Sequence, residues 1–229
     1  MNEKPTTDAH LYVLLDRSGS MAAMAGDVIG GFNQLLTEQQ ADGNDARMTL
    51  VQFDSVDPQE TIADAVPIAE MTELDGQTFV PRGGTPLLDA TGILMGRAGD
   101  RAAQRAAAGL PAEQVVMVSI TDGHENASSE FTLAAVRQLV EARTANGWTF
   151  VFLGAAMDAY DEAAALGYDT RSTQSWALDG DGARAAFASL SRSTAKMRSK
   201  VRAMEEVETR DFFEGDKSAE ADRRRRKKG

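Results

Sequence analysis

Short apolar runs alternate along this chain with segments whose apolar residues recur at helical spacing, and this alternation restricts the fold more than any other feature. Residues 11–15 (Leu-Tyr-Val-Leu-Leu), 48–53, 115–120 and 148–153 each have the length and β-branched or aromatic content of a buried strand. Between them, Val28, Phe32, Leu35 and Leu36 mark one face of a helix that should end near Gly43. Leu88, Thr91 and Met95 mark a second, and Leu133, Val136 and Val140 a third. A short helical stretch is expected around residues 158–166. The segment from Thr61 to Met71 reads as a short edge strand, because Pro58 and Pro67 limit its pairing. Strands that are apolar on both faces need cover on both. The pattern therefore predicts an α/β fold, a doubly wound, mostly parallel sheet with helices on both faces and one short antiparallel edge strand.

With 229 residues, 42% hydrophobic and 26% charged, the chain fits one large domain with extensions. Residues 1–8 are expected to be an N-terminal extension, 9–207 the domain with its last helix, and 208–229 a charged, disordered tail. In the last helix Phe187, Leu190, Thr194, Met197, Val201 and Met204 repeat at spacings of three and four. This stripe reads first as a helix packed on the sheet; a coiled-coil seam is the second reading. The chain has no cysteine, which excludes disulfides, thiolate ligands and thiol catalysis. Without an apolar leader or a run of about 20 apolar residues, a soluble cytoplasmic protein is expected. Net charge is −11, and residues 223–228 (four Arg, two Lys) hold six positive charges, so the remainder carries −17. That body repels membranes and nucleic acid; only the basic tail offers weak nucleic-acid binding.

Candidate chemistry collects where strands should end. Asp16, Ser18 and Ser20 follow the first strand, Thr85 lies in Gly83-Gly84-Thr85-Pro86, and Asp122 lies in Thr121-Asp122-Gly123 after the 115–120 strand. Thr85 is expected to be an N-cap, with Pro86 at the first helical position. In a doubly wound sheet these loops meet outside the strands' carboxyl ends, where strand order reverses. Hydroxyls and carboxylates suit Mg2+ or Mn2+ better than zinc. Alone, the Asp16–Ser20 segment also fits a simple turn. His124 and Glu125 read as a solvated loop, Arg17 as an outward side chain that is either solvated or touches a partner. Asp54 reads as a supporting acceptor or a turn cap.

Asp16-x-Ser18-x-Ser20, Thr85 and Asp122, with Gly84-Thr85-Pro86-Leu87 and Thr121-Asp122-Gly123 around them, resemble the metal-ion-dependent adhesion site of von Willebrand factor type A domains across residues 8–171. The resemblance implies a Rossmann-like fold and a divalent ion held by these five residues. One coordination position would be left for an Asp or Glu of a protein partner. It further implies a non-enzymatic adaptor working beside an ATPase or a stress-response component, and a terminal helix that shifts when ligand binds. The alternative is a magnesium-dependent phosphoryl-transfer or hydrolytic enzyme with Asp16 as nucleophile. Ser18 stands where such enzymes carry a second carboxylate, and the chain has no phosphate-binding loop of the Gly-x-x-x-x-Gly-Lys kind.

Overall fold

The computed structural model describes residues 8–155 and 158–216. Six strands form one sheet in the order β3-β2-β1-β4-β5-β6: β1 (Ala9–Asp16), β2 (Ala46–Phe53), β3 (Glu60–Pro67), β4 (Gln114–Thr121), β5 (Thr149–Gly154) and β6 (Thr173–Ser175). All pairings are parallel except β2 with β3. The helices are α1 (Ala25–Asp42), α2 (Leu87–Ala107), α3 (Leu133–Ala145), α4 (Ala159–Ala165) and α5 (Gly180–Ala203).

The two faces of the sheet divide the helices as strand alternation requires. Leu11, Val13 and Leu15 of β1, with Val116, Val118 and Ile120 of β4, pack against Val28, Phe32 and Leu35 of α1 and Phe187, Leu190 and Met197 of α5. Tyr12, Leu14, Val51, Met117 and Phe152 point the other way, against Leu87, Leu94 and Met95 of α2, Val136 and Val140 of α3, and Ala163 of α4. The terminal stripe thus closes the domain, as expected. It stops one residue early, because Met204 adopts a left-handed C-cap (φ 57°) and is exposed.

Two elements depart from the sequence reading. β6 is a polar three-residue strand with no apolar run to announce it. Residues 208–216, expected to belong to a disordered tail, are placed in the structure, and Phe212 and Phe213 are buried in the α1/α5 core. This segment also hydrogen-bonds to the β6 side of the sheet. Phe212 N–H donates to Ser172 Oγ at 3.1 Å, and Gln174 Nε2 donates to the Asp216 carbonyl at 2.5 Å. Two aromatic rings outweigh the charges around them in drawing this segment onto the core. Residues 217–229, with the basic run, lie outside the described residues. Among the described residues no helix is long and apolar enough to cross a membrane.

At the amino end of β1 and β4 a buried polar cluster ties strands to α2. His10 contacts Thr49 Oγ1 (2.9 Å) and Glu113 Oε2 (3.1 Å), while Arg101 grips both Glu113 oxygens at 3.0 and 2.9 Å, with Arg105 at 3.5 Å. Burial holds His10 below its ordinary pKa, against the opposing pull of Glu113. Burial alone would raise Glu113, but hydrogen bonds from His10 and Arg101 carry it down to about 2. Glu113 therefore stabilises the fold above its unfolded pKa, and the contribution fades as pH falls from about 4.5 toward 2. His10 acts in the same direction from about pH 6.5 downward, since the unfolded chain takes up its proton first. Urea denaturation should show stability declining below about pH 6.5 and more steeply below about 4.5. Glu113→Gln should flatten the lower limb and cost about 3 kcal/mol at pH 7; an unchanged acid limb in this variant would assign it to other carboxylates.

Candidate metal centre

β1 is the branch point of the sheet, with β2 on one side and β4 on the other, so the loops leaving β1 and β4 diverge above Asp16. Asp16 ends β1 with no exposed surface. Its Oδ1 accepts the Ser18 N–H at 2.7 Å and its Oδ2 the Thr121 hydroxyl at 2.6 Å. Among the described residues neither Asp16 nor Asp122 forms an ion pair. Burial raises Asp16 to about 6 despite the hydrogen bonds from Thr121 and Ser18, and burial also holds Asp122 above the ordinary carboxylate range. Sequestered carboxylates without a cation are costly.

Above Asp16 the hydroxyls form a chain. Ser18 Oγ lies 3.0 Å from Ser20 Oγ, and Ser20 Oγ donates to Asp122 Oδ1 at 2.7 Å. Gly123 presents a bare backbone to this group: a Cβ there would lie 3.2 Å from Thr85 Oγ1 and 3.8 Å from Ser20 Oγ. Thr85 and Ser18 are almost fully buried, whereas Ser20 is exposed and Asp122 half-buried. The five residues singled out in the sequence therefore come together, with access from the Ser20 side. Their chemistry fits a hard cation: all donors are oxygen, and no cationic side chain among the described residues pairs with the two carboxylates. No three of His, Cys, Asp and Glu are placed to hold a metal among the described residues, so an ion here depends on the hydroxyls as well.

The supporting residues differ from expectation. Thr85 is not the N-cap; Pro86 is, and no side chain of its own caps it. The free N–H groups of the first turn are satisfied across the loop instead. Leu88 N–H donates to Glu125 Oε2 at 2.8 Å and Asp89 N–H to Ser128 Oγ at 3.1 Å. Glu125 is therefore a half-buried cap rather than a solvated side chain. It also receives the Ala127 and Ser128 N–H groups and the Ser128 hydroxyl. His124 is 61% exposed but faces Asp158 at 2.8 Å and Glu162 at 3.4 Å.

Arg17 turns inward, against expectation, and is 2% exposed. Its Nε donates to Asp54 Oδ2 at 2.6 Å and its guanidinium pairs with Glu60; Arg82 reaches the same two carboxylates at 3.0 and 3.2 Å. Asp54 also accepts the N–H groups of Val56 and Asp57, so it is both turn cap and acceptor for two arginines. Backbone bonds from Arg17 N–H to Phe53, Arg82 N–H to Arg17 and Gly19 N–H to Gly83 complete the tie between three loops. Thr121, Asn126 and Asp89 were absent from the sequence reading as functional candidates. Thr121 could have been found by its place beside Asp122 in a strand that pairs with β1.

No protein-family model matches the chain, and no curated protein does. Solved structures do. The pilus adhesin SpaC from Lactobacillus rhamnosus GG in its open conformation superposes with a TM-score of 0.62 at 15% identity, over 86% of this chain and 31% of that one. Proximal thread matrix protein 1 from the mussel byssus, with a zinc-occupied MIDAS motif (the metal-ion-dependent adhesion site), gives 0.54 at 16% over 81% and 48%. A von Willebrand factor type A structure from Catenulispora acidiphila gives 0.55 at 14% over 82% and 43%. This chain thus spans about a third to a half of the length of these three chains. The fold is the Rossmann-like α/β fold of von Willebrand factor type A domains.

Removing Asp54 leaves Arg17 buried with only the half-exposed Glu60 as counter-charge. Asp54→Ala should lower unfolding free energy by about 3 kcal/mol or more, whereas Glu60→Gln should cost less than about 1 kcal/mol. Chemical denaturation of both variants checks the ranking, and equal losses would contradict the assignment of Asp54 as the centre of the network.

Proposed function

We propose that this chain is a divalent-cation-dependent protein-binding domain, in which Asp16, Ser18, Ser20, Thr85 and Asp122 hold a magnesium or manganese ion. A partner's Asp or Glu then completes the coordination. The observation that carries this reading is the Asp16 carboxylate, fully buried and not ion-paired with any described side chain, beneath a chain of hydroxyls that opens to solvent at Ser20. A bound ion would supply the missing positive charge and act as a Lewis acid toward an incoming carboxylate. The chain's own residues do the rest. Thr121 and the Ser18 amide orient Asp16, and Ser20 with Asp122 lines the accessible side.

The zinc-occupied MIDAS motif of proximal thread matrix protein 1 lends support to a divalent ion on this fold, while the all-oxygen donor set favours a harder one. The chain's strong negative charge gives the ion a second role, since an acidic partner would be repelled without it. By resemblance, the partner is an ATPase or a stress-response component. The hydrolase reading is the weaker of the two: Ser18 stands where such enzymes carry a second carboxylate, and no lysine lies in a recognisable supporting motif.

Saturating Mg2+ or Mn2+ should raise the melting temperature of the purified chain, by the equivalent of about 2.7 kcal/mol at a hundredfold excess over Kd. Asp16→Ala and Asp122→Ala should remove that rise. Proteins captured from lysate should be lost with chelator and with both variants; capture of the same proteins under all three conditions would reject the bridging role.

A further inference from the structure

The loop after β4 does more than carry Asp122. Residues 125–131 and the start of α2 exchange capping groups in both directions. Glu125 and Ser128 receive the N–H groups of Leu88 and Asp89, and the 4%-exposed Asp89 carboxylate receives those of Ser129 (2.7 Å), Glu130 (2.9 Å) and Phe131 (2.7 Å). One residue in this exchange reaches Thr85 itself. Asn126 Oδ1 accepts the Thr85 N–H at 2.9 Å, and the Asn126 N–H donates to the Thr85 carbonyl at 3.1 Å. Because a backbone N–H can only donate, the amide atom facing it is the oxygen.

We propose that Asn126 is a positioning residue that fixes the Thr85 hydroxyl relative to Ser20 and Asp122, so that the α2 and β4 loops present their oxygens as one rigid unit. The inference rests on the metal-site reading above. Three features support it. The Thr85 hydroxyl is released from capping its own helix, because Glu125 and Ser128 do that work. The two Asn126 bonds hold the Thr85 backbone on both its donor and acceptor sides. Gly84 is fitted to the contact, since a Cβ there would stand 2.7 Å from Asn126 Oδ1. Asn126 lies outside the five proposed ligands and acts through Thr85. Its partner across the loop is 41 residues away in sequence, so the contact is a product of the fold.

The test measures Mn2+ affinity on the purified full chain, from the electron paramagnetic resonance signal of free Mn2+, beside the melting temperature without metal. Asn126→Ala should weaken Mn2+ binding about 10-fold or more with little change in metal-free melting. Gly84→Ala, which presses on the same bond with Asn126 intact, should do likewise. The decisive comparison is a cycle with Thr85→Val, which removes the hydroxyl while keeping the shape. If Asn126 acts through that hydroxyl, the double variant binds Mn2+ no more weakly than Thr85→Val alone. Multiplicative losses would overturn the proposal, as would unchanged affinity in Asn126→Ala and Gly84→Ala. Absence of saturable Mn2+ binding by the wild-type chain would instead overturn the metal-site reading, and this inference with it.

Discussion

A carboxylate with no exposed surface and no ion pair among the described residues, Asp16, governs the carboxyl end of this sheet. The parallel pairing of β1 with β4 sets Thr121 where its hydroxyl can reach one Asp16 oxygen, and the turn after β1 brings the Ser18 amide to the other. Two hydrogen bonds orient the group but do not offset the loss of hydration, and its pKa stays raised. The fold thus holds a negative charge in place at an energetic cost, a pattern that suits a ligand of opposite charge better than it suits the folded chain alone.

Everything around Asp16 works to keep that end of the sheet rigid. On one side Asp54 gathers Arg17 and Arg82, tying the β1 and β2 loops to the segment that leads into α2. On the other, the reciprocal caps of Glu125, Asn126 and Asp89 tie the same segment to the β4 loop. The Thr85 segment is therefore held from both directions. Such convergence keeps the hydroxyls of the proposed site, which bring no charge of their own, in register with carboxylates that do.

The main strands and helices were legible because they follow from periodicity, and the proximity of the five oxygen-bearing residues because four of them stand at the ends of β1 and β4 and Thr85 just before α2. What escaped was set by distant partners. Thr85 has the local signature of an N-cap, yet Glu125, roughly forty positions on, takes that task. Arg17 sits between two polar residues and reads as exposed, but Asp54 and Glu60 give its charge an interior partner. β6 could not be seen because its three residues are polar and gain their place from pairing with β5. Phe212 and Phe213 were masked by neighbouring charges, although they bury as fully as core residues.

The anchoring of α5 bears on whether this helix can shift along the sheet, as the family resemblance implies. Arg198 is fully buried near its C-terminal end, with Nη1 donating to the Gln39 carbonyl at 2.7 Å and Nη2 to the Gly43 carbonyl at 2.8 Å and to Asp45 at 2.5 Å. Arg202 repeats the grip on Asp42 and Asp45 one turn later. Beyond the helix, Lys200 pairs with Glu214 and Arg192 with Asp216, so the returning segment is fastened to the same surface. An axial slide of α5 by one turn, about 5.4 Å, would draw the Arg198 guanidinium away from two carbonyls and a carboxylate and leave a buried charge without partners, at a cost of several kcal/mol. Those acceptors belong to the end of α1 and the loop into β2, so a motion that carried α1 and α5 together would preserve them. The Arg198 contacts thus oppose sliding between the two helices and permit their movement as a pair.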